Sequence, residues 1–140
     1  MLAVGDALPF VDLGAGRTFM AVTGGRAFNC ALLDNGRVKC WGGNAQGQLG
    51  LGNTASIGNT NHRDTPGEMG DALPFVDLAT DRTAKAISAG RNHVCVSLDN
   101  GRFKCWGDNF RGTLGLGDTD NRGDAPGEMG DALPFLDLGN

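Results

Sequence analysis

The hexapeptide GDALPF begins at Gly5, Gly70 and Gly130, at offsets of 65 and 60 residues. A chain that returns to the same words at such a spacing is an array. Each unit is one module whose apolar faces must be buried against a neighbour, so the fold follows from what a single unit can form. Between the markers the units read alike. An Arg-Thr step enters a short apolar run (RTFMAVTGG from Arg17, RTAKAISAG from Arg82), a cysteine cassette follows (CALLDNGRVKCWG from Cys30, CVSLDNGRFKCWG from Cys95), and a glycine-rich tail closes it (GNAQGQLGLG from Gly43, GDNFRGTLGLG from Gly107). The lengths differ in one place, where NTASIGNTNHRDTPGEMG from Asn53 stands against the shorter DTDNRGDAPGEMG from Asp118. An insertion in a polar, Gly- and Asn-rich stretch marks a surface loop. The expected organisation is residues 1–69 as a first repeat with a leading strand, 70–129 as a second, and 130–140 as the start of a third.

Each unit offers four candidate strands: FVDL from Phe10 or Phe75, MAVT or KAIS, FNCALL or HVCVSL, and RVKCW or RFKCW. No segment shows helical periodicity over ten residues, and 24 glycines among 140 residues suit short strands joined by turns. The DNG triplets at 34–36 and 99–101 fit three-residue hairpin loops with a left-handed glycine, which sets Leu33 opposite Arg37 and Leu98 opposite Arg102. Counting back along both strands then puts Cys30 opposite Cys40 and Cys95 opposite Cys105, within the span of a disulfide. The expectation is therefore an all-β fold of β-propeller blades, each of four antiparallel strands. Two complete repeats and part of a third cannot close a ring, so the chain reads as part of a longer array or one protomer of a ring built from several chains.

The cysteines admit three readings. A zinc site wants ligands two to four residues apart with another close by, which a gap of nine across a hairpin does not provide. A reactive thiol needs a helix start or a neighbouring histidine to lower its pKa. Structural cross-strand disulfides are the expected answer, with buried free thiols as the alternative. Closing such a loop is worth about 2.8 kcal/mol by chain entropy and points to an oxidising compartment.

The residues around the cassettes resemble the repeat of the regulator of chromosome condensation family. The resemblance rests on His93, Leu98, Trp106-Gly107, Asn109 and GTLG from Gly112, and on Leu33, Trp41-Gly42, Asn44 and GQLG from Gly47, with Phe28 standing where the histidine would be. It implies a β-propeller, usually seven-bladed, with Trp41, Trp106, Gly42, Gly107, Leu49 and Leu114 as structural repeat core. The fold hosts different tasks. Members include a nucleotide-exchange factor for a small GTPase that also docks on nucleosomes, a plant ultraviolet-B receptor and secreted β-lactamase inhibitors. The exchange factor's active loop and the receptor's tryptophan cluster have no counterpart in this sequence, and the paired cysteines depart from the nuclear members.

Other patterns carry less. Trp41 and Trp106 fit blade packing better than ligand platforms. His93 fits a hydrogen-bonded structural role, since no nucleophile with a carboxylate partner recurs beside it. His62 and Arg63 lie in an HRD triplet without the other kinase motifs. Asp118, Asp120 and Asp124 form only a partial calcium-loop pattern, with Arg122 at the fifth position, so calcium is not expected. Arg122-Gly123-Asp124 spells an adhesion tripeptide, but a polar turn is the plainer account. The glycine-rich tails lack the lysine and helix of a phosphate cradle, and no Asn-x-Ser/Thr acceptor occurs. A net charge of −4 with singly scattered Lys and Arg gives no basic stripe for nucleic acid. No run approaches a membrane span, and MLAVGDALPF lacks the basic head of a signal peptide.

These readings lead to a non-catalytic interaction or scaffold module without cofactor, secreted, lumenal or at a cell surface, meeting protein partners or neighbouring subunits through the loops after LGLG. Asn53, His62, Arg63, Asp118, Asp120, Arg122 and Asp124 are the candidate contact residues. The alternative is a nuclear or cytoplasmic regulator of a small GTPase or chromatin.

Overall fold

The computed structural model describes residues 10–58 and 68–139. Two antiparallel sheets stand side by side. The first contains β1 (Phe19–Gly24), β2 (Phe28–Leu33) and β3 (Val38–Gly42), and the second β4 (Ala84–Ala89), β5 (His93–Leu98) and β6 (Phe103–Gly107), each ordered as it runs in sequence. The DNG hairpins take the expected loop. Leu33 donates to the Arg37 carbonyl and Leu98 to that of Arg102, each at 2.8 Å, with Gly36 and Gly101 left-handed at φ 77° and 79°. The pairing puts Cys30 opposite Cys40 and Cys95 opposite Cys105.

The expected fourth strand is not one. Residues 75–78 are extended beside β3 but attach by a single ladder bond, from the Val76 N–H to the Val38 carbonyl at 2.8 Å, and Leu136 repeats this on Phe103 at 2.9 Å. Pro74 has no N–H to give. The remaining groups are drawn elsewhere: the Asp77 carboxylate accepts the Ala79 N–H, the Asp77 carbonyl accepts the Gly130 N–H, and the Leu78 carbonyl faces the Lys104 ammonium. Each sheet therefore has three strands plus a bracket. Each bracket is bonded to the β3 or β6 before it, and the carbonyls of the one after β3 reach the 3-10 turn Gly130–Ala132 and Lys104 of β6. Of the segment expected to lead the chain, Ala7 to Pro9 lie outside the described residues. Asp12 and Leu13 hold Gly70 and Lys39 in the same way.

The core lies between the sheets. Phe28, Cys30, Leu32 and Val38 from one face of the first meet Val94, Val96, Leu98 and Trp106 from the opposite face of the second. A smaller cluster of Leu13, Ala31, Leu33 and Leu73 fills the far side of the first sheet. Polar joints fix the approach. Arg26 donates to the Arg91 carbonyl at 2.8 Å, Ala84 to that of Gly36 at 2.8 Å, and the Ala89 N–H to the Thr23 hydroxyl at 3.0 Å.

Candidate functional site

The hairpins carry the cysteines to the middle of each sheet. Their Sγ atoms stand 2.06 Å apart in the first pair and 1.99 Å in the second, at disulfide distance, with Cα atoms 4.1 Å apart in both. Cys30 and Cys40 are sealed between the sheets, whereas Cys95 is half-exposed on the uncovered face of the second. The tryptophans divide likewise. Trp106 is fully buried and donates its indole N–H to the Gln48 carbonyl of the first unit at 3.0 Å, while Trp41 is half-buried. Gly42 and Gly107 follow at φ 111° and 106°, where a side chain would meet the carbonyl of Ala27 or Asn92 at 2.6 or 2.5 Å, so the Trp-Gly step admits no larger residue.

The next part of the tail builds a loop frame around a buried amide. Asn44 donates to the carbonyls of Asn53 (2.9 Å) and Ala55 (3.0 Å) and accepts the Leu49 N–H (2.9 Å). Asn109 repeats this with Asp118, Asp120 and Leu114. Leu49 and Leu114 are completely buried beneath. A glutamate completes each frame: Glu68 accepts the Gly58 N–H at 2.7 Å, and Glu128 accepts those of Gly123, Asp124 and Ala125 at 3.0, 3.2 and 3.1 Å. Nine residues separate Gly58 from Glu68 and four separate Gly123 from Glu128, so the insertion hangs from two matched anchors.

Where the frames of the two units meet, the Gly52 N–H donates to the Gly123 carbonyl at 2.9 Å. A cleft of about 970 Å³ opens there, between Gln46 of the first unit and Asp108, Phe110, Asp120, Asp124 and Glu128 of the second. The candidate contact residues separate on this frame. Asn53 and Asp118 are internal braces. Asp118 is held below the usual carboxylate range by the Arg122 guanidinium at 2.8 Å and by the Asp120 N–H, which occupies both Asp118 and Arg122. Asp120 and Asp124 do face the cleft, while His62 and Arg63 lie outside the described residues. Among the described residues no three His, Cys, Asp or Glu side chains gather as a metal site.

The sequence reading missed two groups. Lys39 and Lys104 are buried, each beneath a phenylalanine ring (Phe75 at 4.8 Å, Phe135 at 4.7 Å) and hydrogen-bonded to two carbonyls. An ammonium has three donors, and two carbonyls with a ring face satisfy it without a counter-ion. Burial holds Lys104 below the ordinary lysine range, although the Asp131 and Asp77 carboxylates pull it back up. The available signal was the recurrence of a lysine inside an otherwise apolar strand together with a phenylalanine in the segment that follows (Lys39 with Phe75, Lys104 with Phe135). The other omission is Phe110 with Asp108, which stand out only when the two tails are set against each other.

Comparison with known proteins agrees with this geometry. A family model described as "Regulator of chromosome condensation (RCC1) repeat" matches residues 21–48 and 84–113, and a second of the same description matches 35–97. The X-linked retinitis pigmentosa GTPase regulator of Mus musculus is 36% identical over 97 residues, 69% of this chain but 8% of that protein. The ultraviolet-B receptor UVR8 of Arabidopsis thaliana is 31% identical over 94 residues, covering 66% of this chain and 18% of the receptor. Among solved structures, yeast RCC1 (Prp20) in complex with Kap60 superposes with a TM-score of 0.60 at 15% identity, over 85% of this chain and 26% of that one, and human WBSCR16 at 0.58 and 21%, over 77% and 25%. The chain thus spans a small part of each of these proteins. The all-β fold is that of RCC1 β-propellers, and the chain belongs to the regulator of chromosome condensation repeat family.

Proposed function

We propose that the chain is a non-catalytic protein-interaction module of disulfide-stapled propeller blades, working as a subunit or segment of a larger extracellular or lumenal assembly. The observation that carries this reading is the cleft at the junction of the two loop frames. Constant asparagines and leucines build the frame, and the residues that vary between units sit on it, as they do in a scaffold that presents loops to a partner. Sequence relatives that are regulators or interaction proteins support the same class. The paired cysteines support the oxidising compartment, since cross-strand disulfides persist there and are reduced in cytosol. The repeats are proposed to run over residues 1–69 and 70–129, with residues 130–140 as the start of a third. A thiol count on the denatured protein from its natural source, without reductant, tests the compartment: none is expected, and four would overturn it.

The identity with a GTPase regulator supports a second reading, that of a regulatory factor for a small GTPase. Acceleration of nucleotide release from purified small GTPases by the chain, together with four free thiols, would favour that reading over the first.

A further inference from the structure

The two loop frames have the same bonds and different surfaces. Gly43, Ala45 and Ala55 in the first unit correspond to Asp108, Phe110 and Asp120 in the second. The first unit folds the same frame around Asn44 without an acid or a ring at these places, so the fold itself does not call for them. Phe110 is nonetheless 74% exposed, its backbone fixed by the Asp108 carboxylate, which accepts the Phe110 N–H at 3.1 Å. The ring lines the cleft and is held there on a fixed loop, where it offers a face for a cation to stack on. Acidic side chains outnumber basic ones in the lining of the cleft, with Asp108, Asp120, Asp124 and Glu128 against Arg122. Arg122 also lines the cleft, but its guanidinium is engaged by the Asp118 carboxylate and the Asp120 carbonyl, at 2.8 Å each, and the Glu128 carboxylate accepts three backbone N–H donors. The Asp108, Asp120 and Asp124 carboxylates remain along the cleft without a cationic partner among the described residues.

We propose that this cleft binds an arginine-rich, extended segment of a partner protein, with a guanidinium stacked on Phe110 and paired to the neighbouring carboxylates. The proposal rests on the interaction-module reading and names the chemistry of its partner. Arginine fits better than lysine because its planar, weakly hydrated head stacks on a ring while its edge donates to carboxylates. The chain makes the same stacking contact internally, with Arg37 3.9 Å above Phe75 and Arg102 4.0 Å above Phe135. Anionic partners such as nucleic acid are repelled from this face.

The test is fluorescence anisotropy of the 140-residue chain with labelled peptides alternating glycine with arginine, lysine or glutamate. Binding of the arginine peptide, weaker binding of the lysine peptide and none of the glutamate peptide are expected, with affinity falling as salt rises. The decisive variant carries Asp108→Gly, Phe110→Ala and Asp120→Ala together. Each introduces the residue with which the first unit already folds, and at least a tenfold loss of arginine-peptide affinity is expected. Phe110→Ala alone should weaken the arginine peptide several-fold and the lysine peptide less. No binding by the wild type, or equal binding by the triple variant, overturns the site. Free thiols in protein taken from its natural source would instead overturn the proposed compartment and leave the site standing, so the two failures are distinguishable.

Discussion

Trp41 and Trp106 occupy one position in two nearly identical cassettes, and only Trp106 is sealed. The same division runs through the rest of both sheets. Val38 and Leu78 are 0% and 4% exposed between the sheets, whereas their counterparts Phe103 and Leu138, on the face of the second sheet that no described residue covers, are 40% and 62% exposed. A unit of this kind therefore supplies two half-interfaces rather than a core of its own. Most of its stability comes from whichever neighbour rests on each face.

The sharpest way to break this comparison is to delete both indoles in turn. Trp106→Ala opens a cavity between the sheets and strands the Gln48 carbonyl, a loss of about 3–5 kcal/mol, comparable to the whole stability of many domains. Trp41→Ala, from a half-buried site, should cost less, because less of that indole is removed from water. Denaturant midpoints compare the two, and equal losses would mean that the face, not its neighbour, sets the energy.

The cysteine pairs extend the comparison with a smaller effect. Each proposed bridge is worth about 2.8 kcal/mol by chain entropy, and the two loops are equally long, with a separation of 10 in sequence. Access is what differs, since Cys95 is half-exposed and Cys30 and Cys40 are not. Under graded thiol reductant, alkylation and peptide mapping should find Cys95 and Cys105 labelled first. Simultaneous labelling would show that the sheets separate before either bridge opens.

The hairpins were legible because their determinants are local. A DNG turn fixes the register, and a residue period of two carries that register back to the cysteines. The fourth strand was misread for the opposite reason. FVDL has strand-like side chains, but what its backbone pairs with depends on Gly130 and Lys104, both distant in sequence. Lys39 and Lys104 were overlooked because a lysine in an otherwise apolar strand normally lies in solvent. Their carbonyl partners come from segments 26 and 31 residues away in one case and 26 in both directions in the other. In the cleft, Asp120 and Asp124 were legible as loop residues. Phe110 was not, because the resemblance directs attention to the positions the two tails share.

A finer difference lies where each bracket ends. Gly14 and Gly16 of the first copy, both at positive φ, are replaced by Ala79 at φ 111° and Asp81 at φ 57° in the second. A side chain at Gly14 would come within 2.7 Å of the Asp71 carboxylate and 3.3 Å of the Lys39 ammonium. Ala79 carries that methyl group, and the Lys104 bond to the Leu78 carbonyl is 3.4 Å where the Lys39 bond to Leu13 is 2.9 Å. Ala79→Gly relieves a left-handed alanine and should stabilise by about 0.5–1 kcal/mol after the entropy of glycine is deducted. Asp81→Gly should give no such gain, since aspartate tolerates that conformation. A stabilisation of equal size from both would remove Ala79 as the point of strain.

The smallest effect concerns the position where the first unit has Phe28 and the second His93. The imidazole packs against Gly90, leaving no room there for a side chain. Burial lowers its pKa below 6.5, and the Asp108 carboxylate partly restores it. The folded protein thus binds this proton more weakly than the unfolded chain does. Stability is whole above about pH 6.5 and declines as the pH falls toward the folded value, because protonation there favours the unfolded state. Urea midpoints at about pH 7.5 and 5.5 should show a decline in the wild type that His93→Phe reduces, with the contribution of His62 common to both proteins. Asp108→Asn should steepen the decline by removing the charge that raises the histidine's pKa. A variant with phenylalanine at both positions that kept the full slope would place the proton-sensitive contact elsewhere, and the two units would then differ at this position in shape alone.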